Sequence, residues 1–413
     1  MKKLFLLCLT PLLLLAQPSM VSELPLPKSH IFNLDPYPCD ESCLKEYLDN
    51  EMIFSFLANM QEQQIQEESL QEARNVYISL LNIGSNIISS QVKIALLLPY
   101  KKIGKYATTT TNAVFAYLLT RNIPFSIKSF NIESESSQDI QDALEAIHKE
   151  GFSYIIAPMT LQGVNTILSL NTNQFTIFFP TINKKDVQTD APNLYFGAID
   201  YQAQSEMLLH ESTSPLIVFY DKSYMGKKLS TMQIETYLDP NFQIKTSRRK
   251  KVIKYPVASR TTSLKYQLKD NKRLAGGTAI VDTPLVKSGM IMSQLTLYDT
   301  NVAKVLSTQI NYNPLLLTIT QYIDRKNMLI ANSITENKYS FIETNMLLRN
   351  DIRYNWINYA TTIGADLIVS LSTQTQRKYS MPLQNQQIIY PIELQKPLVS
   401  RFKVYKKATQ TEF

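Results

Sequence analysis

VKIALLLPY, residues 92–100, is the stretch whose reading decides the fold. Ile94 to Leu98 are five apolar residues in a row, with no polar alternation. A strand of that kind is covered on both faces, as central strands of parallel sheets are. Pro99-Tyr100 ends the run, and a helical pattern follows over residues 105–120, weakened by four consecutive threonines, Thr108 to Thr111. Strand-like runs then alternate with helix-like ones. Strands are expected at 125–130, 154–157 and 176–179, with helices at 137–149 and 161–170 between them. After a crossover near 193–201 the pattern restarts, with strands at 216–220, 242–253 and 278–281 and helices at 225–237, 261–270 and 288–297. Two α/β halves in tandem imply two lobes with a cleft at the strand carboxyl ends.

The tail reads differently. Strands are expected at 313–320 and 328–331, and again at 388–394 and 399–405 with Gln395-Lys396-Pro397 between them. A helix at 351–363 carries the lone Trp356, placed by its helical spacing in the core. Pro391 assigns its strand to an edge or a boundary.

Upstream of this domain lie two other segments. Residues 1–16 have a basic start at Lys2-Lys3, an apolar stretch at 4–15 and a small residue, Ala16, at the end. Twelve residues are too few to cross a bilayer core, which takes ~20, so the stretch reads as a cleaved export signal. No later run approaches that length, so the mature chain is expected to be periplasmic and not membrane-spanning. Lipidation at Cys8 is the alternative, with Leu7 standing where a small residue is expected. Residues 17–89 comprise a Pro-rich linker and then a helical hairpin. Leu44, Tyr47, Leu48, Phe54, Leu57 and Met60 give the first helix a buried face, and Leu70, Ala73, Tyr77, Leu80 and Leu81 the second. The hairpin either packs on the main domain or docks a protein.

Removal of the signal leaves only Cys39 and Cys43. An even pair in an exported chain suggests a disulfide. Inside a regular helix residues four apart hold Cβ atoms ~5–6 Å apart, too far for a bridge. Pro38 and Asp40 place Cys39 just before the helix start, where non-helical dihedrals close the gap. A metal site is the rival, but no His or further Cys stands nearby to complete it.

Charge and motifs bound the chemistry. The formal charge is +7, much of it in clusters: Lys101-Lys102 with Lys105, Lys184-Lys185, Lys227-Lys228 and Arg248 to Lys251. In an exported chain nucleic acid is excluded as a partner, whereas an envelope protein or an anionic envelope polymer fits. Three histidines, His30, His148 and His210, are all there are, and no G-x-S-x-G, HExxH, P-loop or G-x-G-x-x-G occurs. No catalytic residue, cofactor or metal is assigned.

The KIALLLP opening, the two α/β halves, the AIVDTP segment at 279–284 and DIRYNWINYATTIGADL at 351–367 together resemble the type I periplasmic-binding-protein fold, over 91–413. The added helical region makes the chain similar to the family of outer-membrane lipoproteins that activate penicillin-binding proteins, from which the missing lipobox separates it. Amino-acid receptors of this fold hold an α-carboxylate on Ser/Thr hydroxyls and backbone N–H groups of the first lobe, and the ammonium on an acid of the second. That resemblance places Thr160 and Thr181 on one side, with Asp221, Asp282 and Thr283 opposite. Tyr100-Lys101-Lys102 stands where a small Gly/Ser-rich loop is common, and only 10 glycines occur in 413 residues. The preferred reading is a non-catalytic periplasmic binding or scaffold protein. Its rival is a transporter-linked receptor for an amino-acid-like ligand.

Overall fold

A computed structural model describes Ile31 and residues 39–60, 67–81, 92–121, 123–245 and 249–407. The segment 1–16, expected as an export signal, with Cys8, the rest of the Pro-rich segment with His30, and Arg248 lie outside the described residues. The chain forms two compact units, one before Val92 and one from Val92 on.

Among the described residues the first unit has three helices over 40–81, where the sequence suggests two over 40–89: α1 (Glu41–Asp49), α2 (Ile53–Asn59) and α3 (Glu68–Leu80). The apolar series from Leu44 to Met60 is interrupted because Glu51 adopts a left-handed φ of 59°, and the Met52 N–H turns back to the Tyr47 carbonyl at 2.8 Å. That is a helix C-terminal cap made without glycine. Leu44, Phe56, Leu57, Met60 and Leu70 form its small core together with Cys39. Asp40 caps α1, its Oδ1 accepting the Cys43 N–H at 2.9 Å, so Cys39 stands outside the helix. The two cysteines are bridged, with Cα atoms 5.4 Å apart.

The second unit is two-lobed. The first lobe runs β1 (Val92–Pro99), α4 (Tyr100–Ile103), α5 (Tyr106–Leu119), β2 (Phe125–Ile132), α6 (Ser137–Lys149), β3 (Tyr154–Ile156), α7 (Leu161–Leu168), β4 (Thr176–Phe179) and β5 (Leu194–Phe196). After a first crossover come α8 (Tyr201–Leu209), β6 (Leu216–Asp221), α9 (Tyr224–Leu238), β7 (Val252–Val257), α10 (Lys265–Leu268), β8 (Thr278–Asp282), α11 (Leu285–Leu297), β9 (Lys304–Ser307), α12 (Leu315–Ile319), α13 (Tyr322–Arg325) and β10 (Met328–Asn332). The chain then returns to the first lobe with α14 (Tyr339–Leu347), α15 (Trp356–Thr373), β11 (Leu383–Gln384) and β12 (Gln387–Ile388). It finishes in the second with β13 (Glu393–Pro397) and β14 (Phe402–Lys407).

The two sheets repeat one order. The first is β11-β12-β5-β4-β3-β1-β2 and the second β14-β13-β10-β9-β8-β6-β7. β1 and β6 are therefore equivalent inner strands, flanked in parallel by β2 and β3 and by β7 and β8. β1 has the two-sided burial its sequence predicts. Ala95 and Leu97 pack with Ile140, Ile147 and Ile167, and the alternate residues Ile94, Leu96 and Leu98 are buried on the face that α5 and α15 cover. Phe178 of β4 fills a slot between the first crossover and α15: a Cβ added at Gly197 or Gly364 would lie 2.2 or 2.1 Å from its ring. Gly364→Ala is expected to lose about 1–3 kcal/mol in denaturant titration, the usual range for overpacking a filled core. Phe178→Leu in the same chain should recover part of it.

Four expectations need correction. The segment 313–320 holds helix α12 (Leu315–Ile319), not a strand: Pro314 sets the helical entry and the Asn313 side chain accepts the Leu315 N–H at 2.9 Å. The strand expected at 242–253 is confined to Val252–Val257, and the helix expected at 261–270 shrinks to the single turn Lys265–Leu268. The strand expected at 388–394 is two strands in different sheets, with Pro391 at the last crossover between the lobes and 395–397 inside β13.

Candidate functional site

Parallel strands end towards the crossovers in both lobes, and the loops after β1, β3, β4, β6 and β8 carry the residues named from the sequence. Thr160 is the N-cap of α7, but its polar groups are taken. Glu135, buried at 2 % exposure in the turn between β2 and α6, accepts the Thr160 N–H on Oε1 at 2.8 Å and the Thr160 hydroxyl on Oε2. Gly163 makes the approach possible, since a Cβ there would lie 2.6 Å from Glu135 Cδ. A carboxylate at a helix N-terminus is favoured by the unpaired N–H groups and the helix dipole. The loop after β3 thus carries a carboxylate, and it is the chain's own. Thr181 is also occupied, its hydroxyl donating to the Met159 carbonyl at 2.6 Å.

The second lobe repeats the device. Asp221, at the end of β6, accepts the Ser223 hydroxyl at 2.6 Å, and a Cβ at Gly226 in the first turn of α9 would lie 2.0 Å from its Oδ1. Thr283 is buried and shares a 2.8 Å hydrogen bond with the Ser288 hydroxyl, which also accepts from Asn311 Nδ2 at 2.9 Å. Asp282 differs from all of these. It ends the inner strand β8 at 1 % exposure, and its Oδ1 accepts from Gln233 Nε2 at 3.1 Å. Among the described residues its Oδ2 and the Gln233 Oε1 have no hydrogen-bond partner. Burial pushes the Asp282 carboxyl up to about 7, the Gln233 bond opposing and the Asp221 charge adding to the rise.

Between the lobes the polar and aromatic groups engage one another. Lys228 of α9 reaches Asp186, in the loop after β4 of the other lobe, at 2.5 Å. Beside it, Lys185 binds Asp200 at the first crossover at 2.5 Å, and Lys184 donates to Gln386 at 2.9 Å. Trp356 is not the core residue expected from its spacing. It is half-buried at the start of α15, its ring perpendicular to that of Tyr201, the first residue of α8, at 6.3 Å. The Tyr354 ring packs against that of Tyr312 of the second lobe at 5.3 Å. Burial raises the Tyr201 hydroxyl well above its ordinary range, with the nearby Tyr106 and Asp282 adding to the rise.

Thr160 and Thr181 come together in the first lobe, and Asp282 and Thr283 in the second. Asp221 lies within electrostatic reach of Asp282 but is turned to Ser223. Glu135 and Gln233 were missed by sequence reasoning. The signal for Glu135 was the S-E-S-S run at 134–137 leading into a helix, with Gly163 at the start of another. Nothing local marks Gln233. His148 is exposed, and His210 stacks on Phe242 at 4.4 Å. Among the described residues no group of His, Cys, Asp and Glu converges as metal ligands would, and no helix is long and apolar enough to cross a membrane.

The chain matches no protein-family model and no curated protein. Solved structures match it at the level of fold. The branched-chain amino acid substrate-binding protein LivJ of Streptococcus pneumoniae, in complex with isoleucine, superposes with a TM-score of 0.54 at 9% identity, covering 77% of this chain and 98% of its own. A branched-chain amino acid transporter periplasmic ligand-binding protein of Burkholderia xenovorans gives 0.56 at 9%, covering 77% and 95%. LpoA of Haemophilus influenzae gives 0.52 at 12%, covering 88% of this chain and 73% of its own. The fold is that of type I periplasmic binding proteins, preceded by a helical region.

Proposed function

We propose that this protein is a non-catalytic periplasmic scaffold that engages envelope partners through a binding-protein core, and does not carry a transported solute. The observation that carries this reading is Glu135. The Thr160 N–H and hydroxyl, which in an amino-acid receptor would hold the ligand carboxylate, hold the chain's own carboxylate instead. Thr181 is spent on a backbone carbonyl, and the Lys228–Asp186 pair joins the lobes directly. The extent of the LpoA likeness adds support. The unit from Val92 on holds 322 of 413 residues, about the share the receptors cover, whereas the LpoA match reaches further and must enter the helical unit. On this reading the helical unit captures the protein partner.

A receptor for an amino-acid-like solute is the second reading, and Asp282 is the observation that favours it: a buried carboxyl oxygen without a partner suits an ammonium. A thermal-shift screen against amino acids and small carboxylates separates the two. Ligand that binds only the native state stabilises it by RT ln(1 + [L]/Kd), about 2.7 kcal/mol at a hundredfold excess over Kd. The scaffold reading expects no saturable shift up to millimolar concentrations. A saturable rise at micromolar amino acid would replace it with the receptor.

A further inference from the structure

The equivalent inner strands β1 and β6 are both followed by lysines. Lys101, Lys102 and Lys105 follow β1, and Lys222, Lys227 and Lys228 follow β6. Both sets follow strand carboxyl ends, which in each lobe lie towards the crossovers. Lys228 crosses to Asp186, and Tyr106, next to Lys105, lies close enough to Tyr201 at the crossover to raise its hydroxyl. The acids nearby are already committed. Glu133 takes Lys101 at 2.5 Å, Asp186 takes Lys228, Asp200 takes Lys185, and Glu135 and Asp221 are turned onto Thr160 and Ser223. Lys102, Lys105, Lys222 and Lys227 remain exposed, with no carboxylate partner among the described residues. Exposed tyrosines stand among them: Tyr100 at 40 % and Tyr224 at 71 %.

We infer that this rim binds an anionic glycan strand, a polymer of sugar rings bearing carboxylates, laid along the cleft mouth and touching both lobes. The inference rests on the scaffold reading and names the envelope polymer it engages. Four ammonium groups without a carboxylate partner, set in pairs on two lobes, suit a ligand whose charges repeat along a chain, better than one small anion. Aromatic rings present a negative face to the C–H groups of a sugar ring, which gives Tyr100 and Tyr224 a role that charge alone does not require.

The test uses the full mature chain and three probes: polygalacturonate, sulfated dextran and polyglutamate. The expected result is binding to polygalacturonate that weakens steeply with salt. Changing Lys102, Lys105, Lys222 and Lys227 together to Gln should weaken it at least tenfold. The same change at Lys265, Lys269, Lys272 and Lys326, exposed elsewhere on the second lobe, should weaken it less than threefold. Tyr224→Ala should weaken polygalacturonate binding severalfold and leave polyglutamate unchanged. Stronger binding of sulfated dextran would move the ligand to a sulfated or phosphorylated polymer and overturn the carboxylate assignment. Equal losses in the two lysine variants, or no effect of Tyr224→Ala, would reduce the rim to general polyanion attraction and overturn the inference. Failure here leaves the solute screen null, whereas failure of the scaffold reading shows as a solute shift in that screen.

Discussion

Asp282→Asn is expected to stabilise the protein at pH 8 by up to about 4 kcal/mol, and by much less at pH 4. The native carboxyl is held at about 7 against an ordinary 3.8, chiefly by burial. Every tenfold change in proton affinity between the folded and unfolded chain is worth about 1.4 kcal/mol. The sign follows from proton uptake. Between pH 4 and pH 7 the native state holds a proton on Asp282 that the unfolded chain releases, so the contribution is complete below pH 4 and is lost as pH rises through 7. Asparagine keeps the shape, cannot ionise, and offers an N–H to the Gln233 oxygen that lacks a donor. Urea titrations of both proteins at pH 5 and pH 8 check this: the advantage of the variant should be larger at pH 8. A variant less stable at both pH values would mean that the ionised carboxylate has a favourable partner. That outcome would strengthen the receptor reading.

Glu135→Ala should cost about 3 kcal/mol, because it removes a buried charged acceptor from two donors, the Thr160 N–H and hydroxyl. It also vacates the space against Gly163. A small external carboxylate fits that space and those donors. Acetate at tens of millimolar should therefore raise the melting temperature of Glu135→Ala saturably, and leave the wild type and Glu135→Gln unmoved. A destabilised variant with no acetate response would mean that the site collapses when vacated, and Glu135 would then be a structural cap and not an occupant of a carboxylate site.

Particular elements show how far the residues carried the reading. The helix at Ser137–Lys149 and the strand at Thr176–Phe179 were legible to the residue, because Ser136 caps the one and an unbroken aromatic and β-branched run makes the other. Local signals of that kind act within a turn or a strand. The segment 313–320 misled because three leucines in a row fit a buried strand as well as a helix, and only the Asn313-Pro314 entry told them apart. The apolar run at 388–394 misled for a different reason. Strand structure stops after Ile388 and resumes at Glu393, because the chain passes from one lobe to the other at Pro391, and period-2 alternation carries no record of which sheet a strand joins.

Sequence by itself determined the two α/β halves, the helical region before Val92, the isolated cysteine pair, and the strand ends that carry Thr160, Thr181, Asp221, Asp282 and Thr283. All of these rest on contacts between near neighbours in the chain. The tertiary structure decided what those strand ends have left to offer. Glu135 stands 25 residues from Thr160, Gln233 stands 49 from Asp282, and Lys228 stands 42 from Asp186. Whether a hydroxyl, an amide or a carboxylate is free for a ligand depends on which distant side chain reaches it first. That is set by how the strands order and the lobes close, and hydrophobic periodicity does not encode it.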